Sequence, residues 1–254
     1  MKLNNYKIGI DIGNSSTKIN LNLEKTLAIN NDQLLTNEIS PDKLLKGQLQ
    51  TYDEFLVSIS SVNDEQKTKE ISQKIINALP SANVKTTLWD SKTILEISGL
   101  VNASQLYHFG TDRALRIYYL NKLERGSAKI SCGCGSAFTV EVVQNGYLIE
   151  SCILPGLTMQ LESLHQKTAK LPLILAEQIL DELASTALFS TNYSIINGVI
   201  KSYTAIIERL LLEYKPNQLI LSGGYAPLLK SFFANNRLIS ATRSLESEVL
   251  IQLL

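Results

Sequence analysis

The sequence predicts an α/β fold built from two similar halves. Residues 7–17 align without gaps with residues 129–139, at an offset of 122 residues in a chain of 254. Both segments have the pattern of a strand, a glycine turn and a returning strand. Each half also has a later strand that runs into a loop of small residues and a helix, at residues 58–62 and 219–224. Chance similarity between two hairpins is the alternative, but the repeat favours a duplicated fold with a ligand between its halves.

The elements of the first half follow from the periodicity of its apolar residues and from its turn and cap residues. Alternating patterns predict strands or extended segments over residues 6–13, 17–22, 54–60, 84–89 and 93–97. Pro41 and the cap residues Asn63 and Asp64 predict helix starts. The longer predicted helices occupy residues 65–79 and 111–123.

The second half has the same opening and longer helical stretches. Strands are predicted over residues 128–132, 138–143, 147–154 and 218–221. Helices are predicted from 156 to about 164, over most of 173 to the low 210s, and from 226 to about 233. The chain then closes with a terminal segment over residues 248–254.

Composition and charge exclude several classes of function. The 24 Lys and Arg residues balance 24 Asp and Glu residues, so the chain lacks the basic surplus typical of nucleic-acid binding. No apolar run approaches the roughly 18 residues of a membrane span, and the N-terminus has no signal-like stretch. Three cysteines and two histidines disfavour a disulfide scaffold, a zinc site or a Ser-His-Asp triad. We therefore expect a cytoplasmic protein that binds neither nucleic acid nor membrane.

The first candidate site runs from Asp11 to Lys18. A carboxylate at the end of a strand can hold a hydrated Mg²⁺, which makes Asp11 the candidate metal ligand. The glycine after it lets backbone N–H groups approach phosphate oxygens, and the serines and the lysine add donors and a positive charge. The candidate phosphate-binding residues are Asp11, Ile12, Gly13, Asn14, Ser15, Ser16, Thr17 and Lys18. The alternative is an ordinary Gly-Asn turn with a solvated aspartate; a Walker A loop is excluded, because no Gly-Lys-Ser/Thr follows a glycine.

Two glycine-rich segments of the second half are further candidates. The Gly-Cys-Gly segment at 133–135 lacks the third glycine and the following helix of a dinucleotide fingerprint. We interpret it instead as a second phosphate-facing hairpin with Ser136 as a donor. Gly223 and Gly224 follow a predicted buried strand, where the backbone can accept a base or a ribose, although a simple strand-to-helix turn is the alternative.

The fourth candidate site consists of Gly110, Thr111, Asp112 and Arg113. In the functional interpretation, Asp112 is a general base for a hydroxyl group and Arg113 binds a substrate carboxylate. The alternative is that Thr111 or Asp112 only caps a helix. His108 lies at the edge of this segment, where an ordinary loop histidine is the simpler interpretation. The cysteines are most simply small apolar core residues.

Taken in order, these segments resemble the motifs of the type III pantothenate kinases over nearly the whole chain. The family's Asp-x-Gly-Asn-Thr-x-x-Lys is matched from Asp11 to Lys18, and its Gly-x-Asp-Arg from Gly110 to Arg113. The other matches are Ser60-Ser61-Val62 (Ser-Ser-Val), Gly133-Cys134-Gly135-Ser136-Ala137 (Asp-x-Gly-Thr-Ala, in part), Ile153-Leu154-Pro155-Gly156 (Ile-x-Pro-Gly), Thr168-Ala169-Lys170-Leu171-Pro172 (Thr-Ala-x-Leu-Pro), Thr191 with Ile195 and Gly198, and Ser222-Gly223-Gly224 (Thr-Gly-Gly). Each match alone is weak, whereas eight in order are a strong signal.

The resemblance implies a duplicated RNase H-like (actin-like ATPase) fold with mixed sheets flanked by helices, in domains of residues 1–113 and 114–254. It implies ATP-dependent phosphorylation of pantothenate, the first step of coenzyme A biosynthesis. Residues 11–18 would bind the ATP phosphates, with Asp11 helping to hold Mg²⁺, and Ser136, Gly223 and Gly224 would also contact ATP. The segment 110–113 would bind pantothenate, with Asp112 as the catalytic base. Thr191 would contact pantothenate across the interface of a homodimer.

Several residues depart from the family pattern and keep other hypotheses open. Gly133 replaces the family's aspartate ligand for a monovalent cation, so a requirement for K⁺ or NH₄⁺ is an open question. Ala103 replaces a substrate-contacting tyrosine, Leu106 a nearby proline, and Glu150-Ser151 a Gly-Gly pair. The leading hypothesis is a pantothenate kinase. The second is a catalytically weak or inactive member that acts as a nucleotide-binding or regulatory protein, and the third is a kinase or hydrolase of the same superfamily with another substrate.

Overall fold

The computed structural model describes residues 5–45, 49, 52–80, 83–106, 108–124, 126–184 and 189–254. The chain divides into two compact units, one formed by Met1–Leu123 with Ser244–Leu254 and the other by Glu124–Arg243. We call them unit 1 and unit 2. The C-terminal segment thus belongs to the first unit, and the boundary expected after residue 113 falls within the helix Thr111–Lys122 of unit 1.

In each unit, three consecutive strands open the chain, and helices and further strands follow. The strands are β1 (Asn5–Ile12), β2 (Ser16–Leu21), β3 (Lys25–Asn30), β4 (Glu54–Ser61), β5 (Val84–Trp89), β6 (Lys129–Cys134), β7 (Ala137–Gln144), β8 (Tyr147–Pro155), β9 (Gln218–Ser222) and β10 (Ile239–Thr242). The α-helices are α1 (Asn31–Leu35), α2 (Pro41–Leu45), α3 (Glu65–Asn77), α4 (Ser91–Ser98), α5 (Thr111–Lys122), α6 (Leu157–Lys167), α7 (Ile179–Ala184), α8 (Thr191–Tyr214), α9 (Ala226–Ser231) and α10 (Leu245–Gln252). None of the helices in these described ranges is long and apolar enough to cross a membrane.

The two units contain sheets of the same topology. The sheet of unit 1 has the order β3-β2-β1-β4-β5, and that of unit 2 has the order β8-β7-β6-β9-β10. In each sheet the first three strands in chain order are antiparallel, and the two later strands run parallel to the first. Two mixed sheets with one strand order, each packed against helices, form the duplicated RNase H-like domains that the family resemblance implies.

The core of unit 1 lies on one face of its central strand. Ile8, Ile10 and Ile12 alternate along β1 and are fully buried, as expected for the inward positions of a strand. They belong to one cluster with Ile71 and Ile75 of α3. The predicted alternation in β1 is therefore confirmed as the core pattern.

The opposite face of β1 is covered by the C-terminal helix α10. A Cβ atom on Gly9 would lie 2.1 Å from the carbonyl oxygen of Ser247. Only a residue without a side chain lets the helix backbone approach the strand so closely. This contact explains why the last helix of the chain belongs to unit 1.

The core of unit 2 follows the same plan on β6. Cys132 and Cys134 are buried in it, and Cys152 packs at its margin. The ring of Phe138 on β7 packs against Tyr203 of α8, with 4.7 Å between the ring centroids. The predicted role as small apolar core residues is confirmed for Cys132 and Cys134, whereas Cys152 is only partly buried.

The internal repeat is real, but its gapless alignment is wrong after the turn. In unit 1, Asp11 pairs with Lys18, and in unit 2, Gly133 pairs with Thr139. Position 133 therefore corresponds to position 11, as aligned. The second turn is one residue shorter, so Thr139 corresponds to Lys18 and not to Thr17. The unit 2 hairpin consequently has neither the carboxylate nor the ammonium group of its counterpart.

Two further local predictions differ from the structure. Residues 93–97, expected to be extended, belong to helix α4, which Asp90 caps by accepting a hydrogen bond from the Thr93 amide at 2.9 Å. Gly99, with a φ of 74°, ends the helix, while its β-branched residues give an extended-looking pattern. Strand β3 is absent from the prediction because its residues are mostly exposed.

The long helical prediction from 173 to the low 210s is only partly correct. Residues 171–175 are not helical, a 3₁₀ helix covers Ala176–Gln178, and α7 and α8 follow. The portion of the prediction at residues 185–188 lies outside the described residues.

Candidate functional site

The candidate site of unit 1 forms where β1 and β4 end side by side. Asp11 and Ser60 are register partners in this parallel pair. Asp11 is only 4% exposed, and its Oδ1 accepts a hydrogen bond of 2.9 Å from the Ser60 hydroxyl. Carboxyl ends of parallel strands are the usual place for ligands in such sheets. A buried carboxylate at this edge is suited to chemistry rather than to packing.

The turn after β1 is held in one conformation by two asparagines. The Gly13 carbonyl accepts hydrogen bonds from the side-chain amides of Asn31 and Asn63, each at 2.7 Å. The Thr17 hydroxyl donates to Oδ1 of Asn31 at 2.7 Å, so this buried side chain serves the turn. Asn14 and Ser15 are exposed at the tip, whereas the side chain of Ile12 lies in the core.

Sequence reasoning did not identify the supporting role of these two asparagines. Asn31 carries no local motif, and Asn63 was expected to help to cap α3. Asp64 alone caps this helix, by accepting from the Lys67 amide at 2.8 Å. The only signal in the sequence is that Asn63 directly precedes a good cap residue.

Charged groups of unit 1 shift the pKa of the Asp11 carboxyl. Burial raises the pKa of the Asp11 carboxyl to about 6. The positive charge of Lys18 opposes this effect and lowers the same pKa. The negative charges of Glu246 and Asp112 raise this pKa further, and the hydrogen bond from Ser60 lowers it. Lys18 is the register partner of Asp11 in the β1–β2 pair, and the charge of Asp112 acts on the same carboxyl.

The segment 110–113 opens helix α5 without acting as a side-chain cap. Gly110 is the N-cap residue, and no side chain caps this helix end. The Thr111 hydroxyl instead donates to the Ser61 carbonyl at 2.6 Å, which ties the segment to the end of β4. The alternative that Thr111 or Asp112 merely caps the helix is therefore wrong. A Cβ atom on Gly110 would lie 2.6 Å from Oδ1 of Asp112, so glycine leaves space for that carboxylate.

Arg113 has an aromatic support from Phe109, the residue before the N-cap of α5. Its guanidinium carbon lies 3.9 Å from the centroid of the Phe109 ring. This is a cation–π contact, which holds the planar guanidinium by its face and leaves its edges for hydrogen bonds. His108, which directly precedes Phe109, is exposed and has a φ of 52°. This turn conformation fits the predicted loop histidine.

The candidate residues of unit 2 form a closely packed set of backbone segments. Gly133 and Ser222 are register partners at the ends of β6 and β9. Gly223 has a φ of +120°, and a Cβ atom there would lie 2.6 Å from the Cys134 carbonyl oxygen. Gly224 is exposed, with open space where a side chain would be. The position therefore presents bare backbone, as the predicted contact with a base or ribose needs.

The turn that contains Ser136 is supported by the Pro-Gly end of β8. The Gly156 amide donates to the Ser136 carbonyl at 3.0 Å. A Cβ atom on Gly156 would lie 2.2 Å from the Gly135 carbonyl oxygen. The hydroxyl of Tyr203, on α8, donates to the Pro155 carbonyl at 2.8 Å and so holds the Pro-Gly end of β8. The role of Gly156 in holding this turn is not apparent from its sequence motif alone.

A small cavity lies behind this turn. It is lined by Cys134, Gly135, Phe138, Gly156, Leu157, Tyr203, Tyr225 and Leu229. Its accessible volume of about 10 Å³ holds about one water molecule. Burial raises the pKa of the Tyr203 hydroxyl to about 12, so this group stays protonated as a donor. The cavity is too small for a nucleotide or a substrate.

The metal and substrate predictions find different amounts of support. Asp11 fits Mg²⁺, because this ion usually takes one or two carboxylates and completes its shell with water and phosphate oxygens. In the described part of the chain, no group of three or more His, Cys, Asp or Glu side chains could hold a metal without other ligands. The backbone-only Gly133 does not fit the carboxylate ligand of a monovalent cation. Thr191 is exposed at the first position of α8, after the cap residue Ser190.

Comparisons with known proteins agree with these motifs. The model of the type III pantothenate kinase family matches residues 7–213. The type III pantothenate kinase of Acinetobacter baylyi is 27% identical over 233 residues, which cover 89% of this chain and 88% of that protein. That of Persephonella marina is 26% identical over 255 residues, which cover 94% and 95%.

A solved structure has the same fold. It comes from Campylobacter jejuni, is described as a conserved Baf family transcriptional activator, and gives a TM-score of 0.58 at 18% identity. The likeness covers 97% of this chain and 96% of that one. The family match extends over most of the sequence and includes the residues placed at the ends of β1, β4 and β6. This chain belongs to the type III pantothenate kinase family.

Proposed function

We propose that the protein is a kinase that transfers the γ-phosphoryl group of ATP to pantothenate and forms 4'-phosphopantothenate. Family membership supports the reaction class. The observation that carries the proposal is geometric: Lys18 is the register partner of Asp11, and Thr111, next to Asp112, is hydrogen-bonded to the end of β4, the strand that pairs with β1 at Asp11. A phosphoryl-transfer site needs both a carboxylate for Mg²⁺ and a base for the acceptor hydroxyl, together with a positive charge for the phosphates.

The proposed chemistry needs one proton transfer. The oxygen of the primary hydroxyl of pantothenate attacks the γ-phosphorus, and the bond from that phosphorus to the bridging oxygen of ADP breaks. The hydroxyl proton passes to the carboxylate of Asp112. Such a base contributes typically about 10²–10⁴-fold to the rate. Asp11 would hold Mg²⁺, which neutralises phosphate charge when bound.

Positioning is the larger task in phosphoryl transfer. The turn of Gly13, Asn14, Ser15 and Ser16 would present N–H and hydroxyl donors to the phosphates, with Lys18 as the cation. Arg113, steadied by Phe109, would bind the carboxylate of pantothenate. Ser136, Gly223 and Gly224 of unit 2 would contact the nucleotide. In a homodimer, Thr191 of one protomer would contact the pantothenate bound by its partner.

A second function is favoured by one observation. Unit 2 has Gly133 and Thr139 where unit 1 has Asp11 and Lys18, so its hairpin has no charged side chain at these positions. A member of the family without a cation ligand there would bind nucleotide and turn over slowly or not at all. Such a protein would act as a nucleotide-binding or regulatory protein.

One coupled assay separates these functions. Purified protein with ATP, Mg²⁺ and pantothenate is followed by ADP release, with and without K⁺ or NH₄⁺. We expect ADP release that depends on pantothenate and is lost in Asp112→Asn. Intact nucleotide binding with no ADP release in any cation supports the regulatory function. ADP release that is indifferent to pantothenate indicates another substrate of the same superfamily.

A further inference from the structure

The buried ion pair between Arg116 and Glu246 has no part in the chemistry proposed above. Arg116, on α5, is 2% exposed, and Glu246, on α10, is 4% exposed. Nη1 of Arg116 lies 2.6 Å from Oε1 of Glu246 and 3.5 Å from Oδ2 of Asp112. A single guanidinium nitrogen therefore faces both the presumed base and a carboxylate from a residue 130 positions along the chain.

We propose that Glu246 is a positioning residue for Asp112 and acts through Arg116. The inference rests on the proposed function, in which Asp112 takes the proton. The bond to Glu246 has the short length of a strong charge-assisted hydrogen bond, whereas 3.5 Å to Asp112 is at the limit of a hydrogen bond. The Glu246 carboxylate therefore fixes the position of the Arg116 guanidinium, and this guanidinium makes only a weak contact with Asp112.

The position of Glu246 is itself fixed by the fold. Its neighbour Ser247 has its carbonyl oxygen against the Cα of Gly9, where there is no space for a side chain. The backbone at Glu246 therefore cannot shift along α10's contact with β1 without separating the helix from the strand. Arg116 lies one turn after Asp112 on the same helix, so its guanidinium is within reach of that carboxylate.

The consequence of losing Glu246 follows from the geometry of arginine. The planar guanidinium of arginine pairs readily with a carboxylate through two hydrogen bonds. Without its partner on α10, Arg116 would close on Asp112 and draw that carboxylate away from the acceptor hydroxyl. Misplacing a catalytic group by about 1 Å can cost up to about 100-fold in rate. A pair that served stability alone would leave the rate per folded molecule unchanged.

The test uses two variants of Glu246 and a matched control. Glu246→Gln removes the charge, and Glu246→Asp keeps it on a shorter side chain. Glu96→Gln removes an exposed carboxylate of unit 1 that pairs with Lys92 at 4.0 Å. We expect Glu246→Gln to lower kcat by about 10–100-fold with the KM for ATP nearly unchanged. Glu246→Asp should recover part of this loss, and Glu96→Gln should behave as wild type.

A double variant tests the route of the effect. If Glu246 acts through Arg116, adding Glu246→Gln to Arg116→Met should lower kcat no further than Arg116→Met alone. A kcat per folded molecule within twofold of wild type for Glu246→Gln overturns the inference. If this variant does not fold, Glu246→Asp decides: a lowered kcat at unchanged KM supports the inference, and an unchanged kcat refutes it.

Failure of the proposed function is recognised separately, from the wild-type protein. An active wild type with an unaffected Glu246→Gln contradicts only the role of Glu246. If the wild type releases no ADP, urea unfolding of Glu246→Gln, Asp112→Asn and their combination replaces kinetics. The inference is supported if the effects of Glu246→Gln and Asp112→Asn on the free energy of unfolding are non-additive in the presence of Arg116 and additive in Arg116→Met. It is refuted if these effects are already additive with Arg116 present.

Discussion

Replacing Asp11 by asparagine should stabilise unit 1 at neutral pH while it removes activity. The change keeps the shape of the side chain and an oxygen that accepts from Ser60, and replaces the charged carboxylate by a neutral amide. Burial raises the pKa of Asp11 from 3.8 to about 6 in the folded protein. A difference of about two pKa units corresponds to about 3 kcal/mol, because one unit is about 1.4 kcal/mol.

The sign of the effect follows from this raised pKa. Below pH 4 the carboxyl is neutral in both folded and unfolded chains, so it contributes no penalty. Between pH 4 and pH 6 the unfolded chain releases its proton first, and folding becomes less favourable as the pH rises. Above about pH 6 the full penalty of about 3 kcal/mol is present in the wild type and absent in Asp11→Asn.

The assay is urea unfolding from pH 4 to pH 8 without nucleotide or Mg²⁺. Asp42→Asn, which removes an exposed carboxylate of the same unit, is the control. The advantage of Asp11→Asn over wild type should be small at pH 4 and grow to about 3 kcal/mol at pH 7–8. The reasoning is refuted if the advantage is equal at both ends of the range, or if the variant is the less stable protein at pH 8.

Four other predictions follow from close contacts. Gly9→Ala should destabilise unit 1 in urea unfolding by about 1–3 kcal/mol, because its Cβ meets Ser247, and an unchanged midpoint would show that α10 is not docked as described. Gly156→Ala should raise the KM for ATP more than that for pantothenate, since it displaces the turn of Ser136; equal changes would argue against this support role. Asn63→Ala should also raise the KM for ATP, because it removes one of the two side-chain hydrogen bonds to the Gly13 carbonyl, whereas an unaffected KM would count against the turn as a phosphate site. Phe109→Leu should raise the KM for pantothenate but not for its alcohol analogue, which lacks the carboxylate; the same change for both would exclude a role through Arg113.

Much of the fold is predictable from the sequence because apolar and other residues alternate along its central strands. Ile8, Ile10 and Ile12 mark β1 as a strand with one buried face, and this is what the structure contains. Strand β3 escapes prediction because it lies at a sheet edge with few buried residues. Helix α4 is misread because β-branched side chains outweigh its cap residues in a simple pattern.

The motifs of the site are predictable, but their supports are not. Asp11 and Asp112 stand in short recognisable segments. Asn31 and Asn63 hold the first turn through hydrogen bonds to the backbone at Gly13, 18 and 50 residues away. Such long-range contacts leave no local pattern. The partnership of Arg116 with Glu246 likewise depends on the return of α10 to β1, which a division of the chain by sequence order does not include.

Direct transfer of labelled phosphate tests the central claim most closely. Wild-type protein and Asp112→Asn are each mixed with γ-labelled ATP, Mg²⁺ and pantothenate, and the acceptor is isolated. We predict label on the primary hydroxyl oxygen of pantothenate with the wild type and a loss of about 10²–10⁴-fold with the variant. Label that stays in ATP or appears only as inorganic phosphate, or transfer that is undiminished in Asp112→Asn, would contradict the account.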